Sequence, residues 1–181
     1  MCSSDLEKQN HAINRAVLVE VLQQQNASFS LSKKTKNNID AILNKNTFTI
    51  TTGHQLCLFT GPLYFIYKII STIALSQQLE EKYPKNNFVP VFWMATEDHD
   101  FKEINHINLF GKKIAWNSKQ SGAVGSMNLE GFDEVIKTLK SVLGDSQNAQ
   151  KLIQLFENSY LKQNKLVDAT RYLVKDRKST R

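Results

Sequence analysis

The spacing of apolar positions in the first half of the chain predicts two helices, a strand and a third helix. Apolar residues from Ile13 to Leu22 recur at helical spacing, which indicates a helix ending near Asn26. A more polar helix follows within 30–46, with serine available as its cap. Alternation of threonine with apolar residues over 46–52 predicts a strand.

The helix that starts at Pro62 is apolar nearly all round in its first half and polar in its second. Proline suits the first helical turn, where its missing N–H costs nothing. We therefore predict a helix over 62–83 that is buried at its start and exposed at its end.

The second half of the chain begins with the strongest strand pattern, the apolar run over 86–96. A hairpin is predicted around Gly111, and a helix over 131–144 has acids in its first turn and Gly144 at its end. A last helix is predicted from about Gln147 to Val174. Trp93 in the strong strand and Trp116 in the hairpin are predicted to lie in the core.

The order strand, helix, strand predicts an α/β fold with a parallel sheet and flanking helices. A crossover of this length normally joins parallel strands in a right-handed sense. Ligands of such sheets gather at the carboxyl ends of the strands. Those ends lead into residues 52–62, which we name loop one, and residues 96–106, which we name loop two.

Composition and charge exclude several classes of protein. The 181 residues are 41% hydrophobic and 22% charged, as expected of one globular domain, and Lys68 interrupts the longest apolar run before it could span a membrane. The N-terminus has no secretory pattern, and two cysteines suggest no disulfide framework, so we expect a cytoplasmic protein. Half of the net charge of +6 comes from the last seven residues, which argues against nucleic-acid binding.

Loop one, within "TTGHQLCLFTGP", combines a close-approach glycine, two polar side chains and a helix start. Gly53 permits close backbone approach, His54 and Gln55 offer polar groups, and Thr60-Gly61 leads into a helix N-terminus that favours an anion. The loop matches neither the dinucleotide fingerprint nor the phosphate-loop pattern. The alternative is a glycine turn with a satisfied histidine. Cys57, between two leucines, is predicted to be a small buried hydrophobe.

Loop two places four ionisable residues in a row at the end of the strongest strand. These are Glu97, Asp98, His99 and Asp100, with Glu103 and His106 behind them. Carboxylates beside histidine can hold an amine, bind a metal or act as acid and base. The alternative is that the acids cap a following turn and the histidines lie on the surface. No zinc spacing is present, so no metal ligand is assigned.

Both loops resemble a known family, the bacillithiol biosynthesis cysteine-adding enzymes. The family has the pattern T-G-x-Q-x-x-x-x-T-G-P-x-Y-x-x-Y-K where this chain has "TGHQLCLFTGPLYFIYK", and P-V-F-W-x-A-(S/T)-E-D-H-D-x-x-E-I-N where it has "PVFWMATEDHDFKEIN". The resemblance covers roughly residues 13–174.

The resemblance implies a Rossmann-like core related to class I aminoacyl-tRNA synthetases. It implies a ligase that forms an amide bond between cysteine and glucosaminyl malate, with those small molecules as partners. ATP or ADP is a candidate cofactor, and a homodimer is a candidate assembly of the full-length protein. The implied catalytic residues are Asp98, His99 and His54. The implied substrate or nucleotide-binding residues are Gly53, Gln55, Thr60, Gly61, Tyr64, Glu97, Asp100 and Asn105.

The chain departs from the family pattern in two respects. Ser126 stands where the family usually has arginine, which puts one anion contact in doubt. The family also continues beyond this chain, so we assign residues 7–174 to the N-terminal part of a truncated ligase core and treat 1–6 and 175–181 as non-native tails. A non-catalytic nucleotide-binding module is the alternative function.

Overall fold

The computed structural model describes residues 12–176 of the chain, which fall into two compact units. The first unit comprises the chain up to Thr52 together with Ile70–Val91, and the second comprises Gly53–Ile69 and the chain from Phe92 onward. Residues 1–6 and 177–181 of the predicted tails lie outside the described residues. The domain bounds 7–174 therefore stay a prediction.

Seven helices and four strands are described, and two short 3-10 turns lie between them. In chain order they are α1 (Arg15–Asn26), α2 (Lys33–Ala41), β1 (Thr47–His54), a 3-10 turn (Leu58–Thr60), α3 (Leu63–Lys82), β2 (Asn87–Met94), α4 (Phe101–Ile104), β3 (His106–Leu109), β4 (Lys112–Ala115), a second 3-10 turn (Val124–Ser126), α5 (Phe132–Leu143), α6 (Gln147–Tyr160) and α7 (Leu166–Asp176).

Strands β1 and β2 form a two-stranded sheet, joined by α3. Near the start of the pair Asn87 donates its N–H to the carbonyl of Asn46 at 3.0 Å, and beyond its end Ala95 donates to His54 at 3.2 Å. From the first bond to the second, the donor moves from Asn87 to Ala95 and the acceptor moves from Asn46 to His54, in the same chain direction and by the same number of residues. The strands are therefore parallel, as predicted. Their carboxyl ends therefore lie at the same edge of the sheet.

The first unit has a small core between α1 and α2. Val19, Ile39 and Ile42 are its buried residues. The guanidinium of Arg15 fastens the start of α1, donating to the carbonyls of Ile42 at 2.9 Å and Thr47 at 3.1 Å. The predicted serine cap of the second helix is confirmed, because the side chain of Ser32 accepts the N–H of Thr35.

The second unit holds the main hydrophobic core, built from the β3–β4 hairpin and helices α5 to α7. Hairpin strands pair antiparallel from His106 opposite Ala115, as predicted around Gly111. Trp116 is 1% exposed and packs on Phe132, whose ring stacks on Tyr160 with centroids 4.2 Å apart. The prediction that Trp116 lies in the core is confirmed.

The predicted last helix is wrong as a single element, because α6 ends at Tyr160 and α7 begins at Leu166. The intervening backbone bonds to a distant segment: Leu166 donates its N–H to the carbonyl of Met127 at 3.0 Å, and Lys165 bridges Asn128. The buried hydroxyl of Ser159 then ties α6 to the carbonyl of Ala169 at 2.7 Å. These long-range bonds compete with the helical ladder, and nothing local signals them.

The start of α3 is also more exposed than predicted. Leu63, Tyr64 and Tyr67 are each about 60% exposed, and Phe65 is the buried residue of this turn. The Phe65 ring packs edge-on against Phe92 at a centroid distance of 5.3 Å. The first turns of α3 thus bury only the side of the helix that carries Phe65. Within residues 12–176 no helix is long and apolar enough to cross a membrane.

Candidate functional site

Loop one turns sharply because three consecutive residues have left-handed backbone angles. Phe59 has φ 52°, Thr60 φ 73° and Gly61 φ 62°. For residues other than glycine this conformation costs about 1–2 kcal/mol each. A side chain at Gly61 would place its Cβ 2.5 Å from Cβ of Cys57, so only glycine fits there.

The strained turn is anchored in the core of the second unit. Phe59 donates its N–H to the buried hydroxyl of Tyr160 at 2.8 Å, and its ring lies 4.6 Å from that of Phe156. Burial raises the pKa of Tyr160, so its hydroxyl stays neutral while it accepts this bond. Loop one is consequently held in place by the contacts of Phe59 with Tyr160 and Phe156.

Loop two is organised around the carboxylate of Asp98. One oxygen accepts the N–H of His99 at 2.7 Å and that of Asp100 at 3.1 Å. The N–H of Asp100, followed by the amide of Gln55, holds the pKa of Asp98 below its usual range. Asp98 is therefore ionised at neutral pH.

Asp100 caps the short helix α4, since its side chain accepts the N–H of Glu103 at 3.2 Å. The sequence analysis gave as an alternative that the acids of loop two cap a following turn. One oxygen of Asp100 does so. His99 lies exposed on the surface, which matches the same alternative for the first histidine.

Backbone hydrogen bonds connect the second 3-10 turn to loop two. Val124 donates its N–H to the carbonyl of Asp98 at 2.8 Å, and Gly125 donates to that of Thr96 at 3.0 Å. A Cβ on Gly125 would lie 2.6 Å from Cβ of Thr96, so this approach depends on glycine. The neighbouring Ser126, which stands where the family has arginine, is exposed.

Gln55 joins the two loops through its side-chain amide. Its nitrogen donates to Asp98 at 2.6 Å and to Glu103 at 2.7 Å. Charge-assisted bonds of this length are among the stronger hydrogen bonds of proteins. The predicted meeting of the two loops at one edge of the sheet is thus confirmed.

A cleft of about 350 Å³ lies where the loops meet, within the second unit. It is lined by Gly53, His54, Gln55, Lys68, Trp93, Ala95 and Glu97. Four of these seven are predicted site residues. A second cleft of about 340 Å³ beside α5 and α6 contains none of the predicted site residues.

His54 ends β1 and presents a defined tautomer to this cleft. Its Nδ1 lies 3.1 Å from the carbonyl oxygen of Gln55. A carbonyl can only accept, so this bond requires the proton on Nδ1 and leaves Nε2 of the neutral ring as an acceptor. The ring also packs against Phe65 at 5.3 Å, which fixes its orientation.

The remaining predicted residues lie around the cleft rather than along its wall. Thr60 is buried in the strained turn, and Tyr64 is exposed with its ring 6.3 Å from His54. Asn105 is directed elsewhere, because its side-chain oxygen pairs with Nδ1 of His106 at 3.1 Å. No three histidine, cysteine or acidic side chains among residues 12–176 are arranged to hold a metal ion.

Lys68 is a site residue that sequence reasoning missed. Its ammonium donates to the carbonyl of Gly53 at 2.9 Å and lies 4.7 Å from the ring centroid of Tyr64, one helical turn earlier. The signal was present, since the lysine closes the motif "PLYFIYK". Its spacing of four residues from Tyr64 places both on one face of α3.

The sequence analysis also missed Trp93 as a residue of the cleft. Its prediction that Trp93 lies in the core is wrong. It is 60% exposed and lines the cleft. Successive side chains of a strand point to opposite faces, so an apolar run alone does not show which face is covered. Position 93 falls on a face that the described second unit leaves open.

Cys57 is half-buried, with its sulfur 3.9 Å from Nδ1 of His54. Burial, and then the nearby carboxylate of Glu103, raises the pKa of this thiol. It stays protonated at neutral pH and is a poor nucleophile. The interpretation of Cys57 as a small hydrophobe agrees with this environment.

Residues 2–177 match the model of a protein family described as "Bacillithiol biosynthesis BshC, N-terminal Rossmann-like domain". The chain is also similar to proteins named "Putative cysteine ligase BshC". One from Flavobacterium johnsoniae is 55% identical over 164 residues, which cover 91% of this chain and 31% of that protein. One from Christiangramia forsetii is 53% identical over 171 residues, covering 92% and 32%. A more distant one from Bacillus anthracis is 33% identical over 168 residues, covering 88% and 31%. The chain thus spans about a third of the length of these relatives.

Proposed function

The chain belongs to the BshC family of bacillithiol biosynthesis through its Rossmann-like domain, and from this premise we propose that it carries part of a cysteine ligase site. The reaction is the joining of cysteine to the amine of glucosaminyl malate by an amide bond. Since the chain spans about a third of its relatives, the activity is proposed for the full-length protein.

The observation that carries the proposal is the Gln55 bridge between the loops. It holds the carboxylates of Asp98 and Glu103 beside a cleft lined by His54 and Glu97. Neighbouring carboxylates stabilise the positive charge of an ammonium group. That group must lose protons before its nitrogen can form an amide. The acids therefore suit the binding of a substrate amine.

Amide formation joins the amine nitrogen to the carboxyl carbon of cysteine, with loss of one carboxyl oxygen and two protons from the ammonium form. Nε2 of His54 is the candidate acceptor for one of these protons, since Nδ1 already donates to the carbonyl of Gln55. Asp98, held ionised by its hydrogen bonds, stabilises the positive charge of the amine. His99 is exposed in the same loop and is the second candidate base.

We also propose the start of α3 as the site that binds ATP or ADP. The first N–H groups of a helix lack intrahelical partners and favour anions, and this helix starts with exposed Leu63 and Tyr64 after the turn at Gly61. Lys68 adds a positive charge on the same helix. A bound nucleotide would supply activation of the carboxylate, while Thr60 and Gly61 shape the turn that admits it.

The test uses the full-length protein with cysteine, glucosaminyl malate and ATP, and mass spectrometry of the product. We expect a species with the combined mass of the two substrates less one water. His54→Ala and Asp98→Asn should lower kcat/KM by roughly 100-fold or more. Glu134→Gln, which removes an exposed carboxylate from α5, is the control and should leave the rate unchanged.

Unchanged rates in both site variants would contradict the proposal. A rise in melting temperature with ATP, without any product, would instead support the alternative of a non-catalytic nucleotide-binding module.

A further inference from the structure

Loop one contains a turn whose backbone angles are unfavourable for the residues that occupy it. Phe59 and Thr60 have φ values of 52° and 73°, in the left-handed region that glycine adopts freely and other residues rarely adopt. Both residues are buried, with 6% and 8% of their surfaces exposed. Conformations of this kind persist where the surrounding structure determines them. Contacts from outside the turn must therefore hold it in place.

The contact that holds this turn comes from the end of α6. The N–H of Phe59 donates to the hydroxyl of Tyr160 at 2.8 Å, across 101 positions of the chain. Tyr160 is 1% exposed, so this bond lies away from solvent. A buried N–H that loses its acceptor costs free energy, because solvent does not replace the acceptor inside a packed core. The conformation at Phe59 therefore depends on the hydroxyl of Tyr160.

The position of this hydroxyl is itself fixed by three helices. The ring of Tyr160 stacks on that of Phe132, at the start of α5, with centroids 4.2 Å apart and planes inclined by 1°. The neighbouring Ser159 ties α6 to α7 by donating its hydroxyl to the carbonyl of Ala169 at 2.7 Å. The acceptor is thus presented by packed helices of the second unit rather than by another loop.

A packed segment connects the turn to the polar side chains that loop one contributes to the cleft. His54 and Gln55 come shortly before Phe59 in the chain. Between them, Leu56 and Leu58 are each 1% exposed, so the apolar side of this segment lies in the core. A change of backbone angles at Phe59 is consequently passed along the segment to His54 and Gln55.

We propose that Tyr160 is a positioning residue of the ligase site. Its hydroxyl holds the strained turn through Phe59 and thereby fixes the orientation of His54 and Gln55, although Tyr160 does not line their cleft. Without the hydroxyl, the turn relaxes towards less strained angles, and a displacement of about 1 Å at a reacting group can lower turnover about 100-fold. This role rests on the proposed ligase function.

The test compares Tyr160→Phe with Ser159→Ala in the full-length protein. Each substitution removes one buried hydroxyl from α6 and leaves one buried backbone group without its partner, but Ser159 bonds to α7 and not to loop one. Both variants should have a lower melting temperature. At a temperature where both stay folded, Tyr160→Phe should lower kcat roughly 10-fold or more and leave the KM values within about twofold. Ser159→Ala should keep the wild-type kcat.

Two readouts do not depend on turnover. Amide hydrogen exchange at Phe59 should be roughly 10-fold faster in Tyr160→Phe than in the wild type, the size expected for one lost buried acceptor. The ring nitrogens of His54, observed by ¹⁵N NMR at a pH where the ring is neutral, should show the proton on Nδ1 in the wild type, because Nδ1 donates to the carbonyl of Gln55. Tyr160→Phe should show a mixture of the two tautomers, and Ser159→Ala the wild-type spectrum.

The inference is overturned if Tyr160→Phe keeps the wild-type kcat and His54 spectrum while exchange at Phe59 accelerates, since the bond is then only structural. Equal losses of kcat in Tyr160→Phe and Ser159→Ala overturn it as well, and in both cases the ligase proposal stands. If the His54 spectrum changes in Tyr160→Phe but the wild type forms no product, the positioning of His54 stands and the ligase proposal fails. If Tyr160→Phe does not fold, exchange in the wild type decides: protection of the Phe59 amide equal to that of α6 supports the inference, and exchange as fast as in an exposed loop overturns it.

Discussion

Gln55 is the residue through which the two loops of the site act together. A glutamine amide donates through one nitrogen only, and here that nitrogen serves both Asp98 and Glu103. A neutral donor between two carboxylates lowers their mutual repulsion without cancelling their charge. Both acids thereby keep their negative charge, as the proposed binding of an amine requires.

Asp98 gives the site a pH dependence whose sign follows from its hydrogen bonds. Its folded-state pKa is lowered, first by the N–H of Asp100 and then by Gln55. The stability that it contributes is therefore fully present above the unfolded-state pKa of about 3.9. It is lost as the pH falls through the lower folded-state pKa.

We expect the Asp98→Asn variant to have a lower free energy of unfolding than the wild type at pH 7. This deficit of the variant should disappear at acidic pH. The deficit should shrink as the pH falls below about 4, because the unfolded wild-type chain then takes up a proton at this carboxyl, and it should vanish once the folded carboxyl is protonated at its lower pKa. Urea unfolding between pH 7 and pH 3 measures it. Asp145→Asn, which removes an exposed carboxylate near α6, is the control. A deficit of the same size at every pH would contradict the assigned role of Asp98.

At the scale of the elements, local patterns were sufficient wherever local interactions decide the structure. The helix α5 has acids in its first turn and Gly144 at its end, and the hairpin turns at Phe110 and Gly111, both with positive φ. The break after Tyr160 could not be predicted, because it depends on the distant backbone of Met127. The exposure of Trp93 likewise depends on what packs against its face of the strand, which periodicity does not show.

The 3-10 turn Val124–Ser126 provides a sharp test of how loop two is held. We expect Gly125→Ala to disturb loop two, because the new Cβ would overlap Cβ of Thr96 at 2.6 Å. Overpacking of this kind typically costs about 1–3 kcal/mol, and it should also weaken the bond from Val124 to Asp98. Thermal unfolding and amide hydrogen exchange of Val124 measure the two effects.

Ser126→Ala is the matched control for this substitution, since Ser126 is the exposed neighbour in the same turn. It should change neither quantity. If Gly125→Ala unfolds like the wild type, with unchanged exchange at Val124, the turn does not support loop two.

At the scale of the whole molecule, the predicted α/β class, the parallel sheet and the family are confirmed. The βαβ order was sufficient to predict that loops one and two meet, since parallel strands share one carboxyl edge. The order of elements did not indicate Lys68, whose hydrogen bond to the carbonyl of Gly53 joins α3 to the end of β1. The motif "PLYFIYK" was the signal that could have indicated it. The likeness to class I synthetases, the cytoplasmic location and the homodimer stay predictions.

The central claim is that loops one and two form one functional site through Gln55. A double-mutant cycle on kcat/KM of the full-length protein in the proposed ligation tests it, with Gln55→Ala, Asp98→Ala and the double variant. We predict strong non-additivity: once one partner is lost, removing the other should cost little more, with a coupling of about 1–3 kcal/mol. Effects that add to within about 0.5 kcal/mol would show that the loops act independently, and would contradict the account.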